Sequence, residues 1–211
     1  MCTGIENIRC PREIPRPAGE SAGLRNDAAE VTTRDCWELV QGVQLNRMTN
    51  VAYLSLGSNI GDREDQLRRA ISRLAEHGRV LRVSSFYETE PVEVSDQPWF
   101  VNCAVALETT DPPEELMRAL LAIEREMGRE RIRRKGPRTV DIDILLYGDR
   151  VVNRAELTVP HPAMAQRRFV LKPLAEIAAE VRHPVLKKTV SELLEELPAG
   201  QSVRRMKTTE E

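Results

Sequence analysis

VAYLSLGSNIGDREDQLRRAISRLAEHGRVLRVSSFYET, residues 51–89, reads as strand, turn, helix and second strand. VAYLSL is β-branched and aromatic, and GSNIGD is turn chemistry, with tight backbone packing and with Gly57 and Gly61 expected at special dihedrals. Asp62 stands where it can cap a helix over 63–76, in which Leu67, Ile71 and Leu74 recur at helical spacing. RVLRVSSFYET (79–89) alternates as one strand, and WFVNCAVALET (99–109) is the next. Asp111-Pro112-Pro113 opens a helix with Leu116, Leu120, Ile123 and Met127 on one face, and TVDIDILLYG (139–148) is the fourth strand. Strand, helix, strand, strand, helix, strand is the βαββαβ order of an α+β, ferredoxin-like sandwich. A C-terminal extension follows, with VVNRAELTVPHP, a helix around LKPLAEIAAE and another over SELLEEL, and the sheet face that the first two helices leave bare falls to loops or to this extension.

Residues 1–47 carry prolines, scattered charges and few large apolar side chains, so they bury too little to offset the entropy of ordering. They are expected to be a disordered extension or leader, with the folded domain at 48–200 and a frayed tail at 201–211. With 31 basic against 33 acidic residues, the chain has no overall charge that would draw it to nucleic acid. No run is long and apolar enough to cross a bilayer, and the charged, proline-rich start is unlike a signal peptide. A cytoplasmic protein is expected. Cys2, Cys10, Cys36 and Cys103 have no zinc-ligand spacing, and Cys103 lies in an apolar run that fits buried packing.

Chemistry concentrates in GRERIRRKGPRTVDIDILLYG, residues 128–148. Asp141 and Asp143, two apart on a strand, share one face, while Ile142 between them faces the other way. An isolated pair of this kind is most often a solvated strand face. Here seven cations precede or flank it (Arg125, Arg129, Arg131, Arg133, Arg134, Lys135 and Arg138) against Glu126 and Glu130. Arginine forks match phosphate oxygens, and paired carboxylates suit a hard cation that also takes phosphate ligands. Together they point to metal-bridged polyphosphate. His161, between two prolines, is a loop residue. Phe100 and Phe169 fit a core by default, but Asn102 on an apolar strand must find polar partners, and the edge of a heterocycle is one. Neither GxxxxGK[ST] nor GxGxxG occurs.

AYLSLGSNIGD, SSFYETEPV, QPWFVN, GPRTVDIDILLYG and VPHPAMAQRRFVLKPLAEIA follow in order, and together they resemble the 6-hydroxymethyl-7,8-dihydropterin pyrophosphokinases of folate biosynthesis. The resemblance runs from Val51 to Leu197. It implies Mg-dependent transfer of the β,γ-diphosphate of ATP to the pterin hydroxymethyl group, with release of AMP and two Mg2+ ions as cofactors. It further implies that Asp141 and Asp143 hold the metals. Arg129, Arg131, Arg138 and Arg167 would meet the triphosphate or order the loop over it, with Arg129 and Arg138 catalytic. Thr158, His161 and Glu124 would flank the nucleotide. The pterin would stack between Phe100 and Phe169, its polar edge read by Asn102 and the backbone around Thr89 and Val92. ATP and the pterin are the expected partners of a monomer, without nucleic acid or membrane. A non-catalytic scaffold is the first alternative. An RNA-binding module is the second, but the acidic pair stands where its phosphates would approach.

Overall fold

The computed structural model describes residues 49–91, 97–128, 138–198, 200 and 202–207, all within the unit Asn46–Glu211. The expected N-terminal extension lies outside the described residues. In chain order the elements are β1 (Asn50–Ser58), α1 (Arg63–Leu74), β2 (Arg79–Val83), β3 (Tyr87–Thr89), β4 (Phe100–Thr109) and α2 (Pro113–Glu126). They continue with β5 (Asp141–Tyr147), β6 (Val152–Asn153), β7 (Thr158–Val159), a 3-10 turn at Met164–Gln166, α3 (Arg168–Ala178), α4 (Val190–Glu196) and β8 (Val203–Arg205).

One antiparallel sheet runs β5-β1-β4-β3-β8, with β2 also pairing to β4. Strand alternation gives it two apolar faces. Leu54, Leu56, Val101, Val105, Ile142 and Ile144 meet the stripes Leu67, Ala70, Leu74 of α1 and Leu116, Leu120, Ile123 of α2. Ala104, Ala106, Leu145 and Leu146 meet Val170, Leu171 and Leu174 of α3 and Val190 and Leu193 of α4. The C-terminal helices thus cover the second face. As expected, Asp62 caps α1, its side chain accepting from the Asp65 N–H at 3.0 Å. Cys103 is buried in the first core, and burial pushes its thiol up to about 12, which suits packing rather than reactivity.

Three details depart from the sequence reading. The strand expected over 79–89 is two strands, because the chain takes four steps from Val83 to Tyr87 while β4 takes three from Val105 to Asn102. At the break the Ser84 hydroxyl accepts from the Ala104 N–H at 2.9 Å and the Ser84 N–H donates to the Ala104 carbonyl, so the irregularity leaves neither amide unpaired. Gly61 has the positive φ expected of it, 67°, but Gly57 does not share it and lies in regular β1. Within the segment expected to fray, Val203–Arg205 pair with β3. No described helix is long and apolar enough to cross a membrane.

A bulge brings the Pro160–Pro162 segment to the sheet. Tyr53 pairs with Leu146 and Leu54 with Ile144, so Leu145 is left over, and its carbonyl accepts from the His161 N–H at 2.9 Å. The chain then enters α3 with Arg167 and Phe169 over the second face.

Candidate active site

Gly57 pairs with Asn102 on one side and Asp141 on the other, making a row across three strands. Beyond Asn102 the row meets Tyr87 of β3, and the neighbouring pair is Thr89 with Phe100. Asn102 donates from Nδ2 to Thr89 Oγ1 at 2.6 Å, which fixes the carboxamide and leaves its Oδ1 above Gly57. Gly57, Thr89, Phe100, Asn102 and Asp141 floor a cavity of about 300 Å3, walled by Arg138, Asp143, Arg167 and Phe169 and bordered by Ser55, Glu90, Pro91 and Gln97. Each aromatic wall carries a cation: the Arg138 guanidinium lies 5.7 Å from the Phe100 ring centre and that of Arg167 lies 5.6 Å from Phe169.

The electrostatics oppose one another by design of the fold. Burial first, then the Asp141 and Glu124 carboxylates, pushes Asp143 up to about 6, while Arg167 and Arg138 pull it back. Arg138 donates from Nη1 to Asp141 Oδ2, whereas its buried Nε has no partner. Burial and the Arg167 charge push His161 below its ordinary value, and its Nδ1 accepts from the Ala163 N–H at 3.2 Å. The ring is therefore neutral near pH 7, with its proton on Nε2.

Of the residues singled out in the sequence, Asp141, Asp143, Arg138, Arg167, Phe100, Phe169, Asn102 and Thr89 line this one cavity. His161 adjoins it, close enough for Arg167 and Asp141 to act on its charge. Glu124 is buried on α2, and its Oε1 accepts the Ile142 N–H at 2.7 Å between the two aspartates. Thr158 is exposed on β7 and is not part of the cavity lining. Val92, Arg129 and Arg131 lie outside the described residues.

Sequence reasoning passed over Asn59. Its Oδ1 accepts from the Arg138 N–H at 2.8 Å, and its own N–H donates to the Arg138 carbonyl at 3.2 Å. Its Nδ2 donates to Gln97 Oε1 at 3.3 Å and to the Pro98 carbonyl at 3.4 Å. One buried amide thus ties together residues 97–98 and the start of the aspartate-bearing segment. A polar residue inside a Gly-flanked turn was the only available signal.

The fold is mixed, with an antiparallel sheet and a cavity that brings an aspartate pair beside two arginines, side chains whose chemistry suits phosphate groups. The chain belongs to the 7,8-dihydro-6-hydroxymethylpterin-pyrophosphokinase family, which matches residues 53–179. It is 51% identical over 136 residues to the 2-amino-4-hydroxy-6-hydroxymethyldihydropteridine pyrophosphokinase of Bacillus subtilis, covering 64% of this chain and 81% of that protein. The enzyme of the same name from Methylorubrum extorquens is 45% identical over 152 residues, covering 71% of this chain and 95% of its own. The folic acid synthesis protein fol1 of Schizosaccharomyces pombe is 46% identical over 156 residues, which is 73% of this chain but 21% of that longer protein. Among solved structures, Plasmodium falciparum HPPK-DHPS superposes with a TM-score of 0.58 at 17% identity, covering 72% of this chain and 46% of that one, a likeness of fold.

Proposed function

We propose that this chain is an ATP-dependent pyrophosphokinase of folate biosynthesis, transferring the β,γ-diphosphate of ATP to the hydroxymethyl group of 6-hydroxymethyl-7,8-dihydropterin and releasing AMP. The observation that carries the reading is one cavity in which Asn102 and two aromatic rings adjoin two carboxylates and two arginines. Its apolar and amide side suits a flat heterocycle, and its charged side suits polyphosphate.

The donor set fits Mg2+. Asp141 and Asp143 offer carboxylate oxygens to the cavity. Such a half-open set leaves positions for phosphate oxygens and water, as Mg2+ requires, and two ions is the proposed count. When bound, the metal would neutralise phosphate charge and lower the barrier to displacement.

The chain's own residues do the rest. Phe100 and Phe169 pack against the pterin, and Asn102 Oδ1, held by Thr89, accepts from its polar edge. Thr89 and Val92 contribute backbone groups to that edge. Arg138 and Arg167 neutralise the triphosphate, joined by Arg129 and Arg131. Neutral His161 donates from Nε2 to a phosphate oxygen, and Thr158 and Glu124 lie along the nucleotide side. A bond forms between the hydroxymethyl oxygen and the β-phosphorus, the α,β-bridge breaks, AMP leaves and the hydroxyl proton passes to solvent.

The fold is proposed to be the ferredoxin-like βαββαβ sandwich, with the domain at 48–200 continuing through β8. A cytoplasmic monomer is the simplest setting. Asp141→Ala and Asp143→Ala test the reading: each should cost about a thousandfold or more in turnover while circular dichroism stays that of the folded domain. Near-normal turnover in either variant would reject the metal assignment.

A further inference from the structure

β8 lies beyond residue 179, where the family match ends, yet it borders the wall of the cavity. It pairs with β3 along Tyr87–Arg205, Glu88–Arg204 and Thr89–Val203. The ladder is extended at both ends, by the Glu90 N–H to the Ser202 carbonyl at 3.2 Å and the Met206 N–H to the Phe86 carbonyl at 2.9 Å. Thr89 and Glu90 line the cavity, so its rim is the strand that β8 backs.

A second connection passes through Trp99, which immediately precedes Phe100. The Arg204 guanidinium lies 5.2 Å from the Trp99 ring centre. From the other side Arg63 Nη1 donates to the Trp99 carbonyl at 2.8 Å while the same guanidinium binds Glu88 Oε1 at 3.2 Å. Glu88 is the cross-strand partner of Arg204. Arg63 thus holds the Trp99 carbonyl while bound to Glu88, and Arg204, which stands opposite Glu88 in the ladder, holds the indole. The neighbouring Arg205 fastens the other end of β8, donating to Ser85 Oγ at 2.9 Å and meeting Glu176 of α3 at 3.3 Å.

We propose that β8 is a positioning strand for the pterin side of the site, with Arg204 acting through Trp99 to set the place of Phe100. Arg204 touches no reacting atom. Its effect is on how well the wall is formed before the heterocycle arrives, so it acts on pterin affinity and leaves the phosphate side unchanged. This rests on the pterin reading above.

The test is steady-state kinetics on the full chain with ATP, Mg2+ and 6-hydroxymethyl-7,8-dihydropterin. Arg204→Ala should raise the pterin KM about two- to fivefold, the size of one partly exposed cation–π contact, with kcat and the ATP KM unchanged. Arg204→Lys keeps a cation over the ring and should restore most of the loss. On a Trp99→Ala background, or Trp99→Leu if the alanine variant does not fold, Arg204→Ala should add nothing further. An unchanged pterin KM in Arg204→Ala, or a fall in kcat alone with lowered thermal stability, overturns the inference and leaves a merely structural strand. If the unaltered chain shows no pterin-dependent turnover, the functional reading falls and this inference falls with it.

Discussion

Gly57 and Asn102 face each other across β1 and β4 so closely that a methyl group on Gly57 would lie 2.6 Å from Asn102 Oδ1. The glycine is there for space, since its backbone is ordinary strand. Gly57→Ala should turn the Asn102 carboxamide away and break its 2.6 Å bond to Thr89. Overpacking of this kind costs about 1–3 kcal/mol. Pterin kcat/KM should therefore drop about tenfold or more, measured by titrating pterin at saturating ATP, with the ATP KM nearly unchanged.

Asn59 makes separable predictions with its two ends. Asn59→Asp keeps the acceptor for the Arg138 N–H and loses the donor to Gln97 and Pro98. Asn59→Ala loses both. A buried donor or acceptor left without its partner costs about 1–3 kcal/mol. In paired kinetics the alanine variant should lose more kcat than the aspartate variant, because the Arg138 N–H then loses its acceptor as well and only the backbone bond from the Asn59 N–H to the Arg138 carbonyl remains.

The raised Asp143 makes a prediction in pH. Burial, with the neighbouring carboxylates, holds the Asp143 carboxyl up at about 6 against an ordinary 3.8, so the folded state prefers the protonated form. Its stabilising contribution is present below about pH 4 and is lost as pH rises through about 6. Asp143→Asn should thus raise the melting temperature of metal-free protein at pH 7.5 by several degrees and leave it almost unchanged near pH 4. Differential scanning calorimetry in EDTA reads this directly. Added Mg2+ should stabilise the unaltered chain more than the variant.

The same contrasts explain what could be read from the amino acids. The aspartate pair, the Asp62 cap and the apolar stripes of α1 and α2 are local patterns, written within one or two turns or a few strand residues. The break after Val83 is not local, because it depends on which β4 residues stand opposite. Asn59 reaches Arg138 across 79 positions and Arg205 reaches Ser85 across 120, and no spacing announces either contact. A strand such as β8, three residues long and rich in arginine, looks like a solvated tail until its partner is known. At Gly57 the tight packing expected of the turn is present, but the special dihedral is not, since its partner across the strands and not its own backbone demands the glycine. The Glu124 bond to the Ile142 N–H between the two aspartates is likewise a contact that no local pattern announces.

The most direct test of the central claim is AMP formation by the full chain from ATP and Mg2+, with and without 6-hydroxymethyl-7,8-dihydropterin. AMP release should depend on the pterin and yield one pterin diphosphate per AMP. A folded chain that binds both compounds yet releases no AMP, or releases ADP instead, would contradict it.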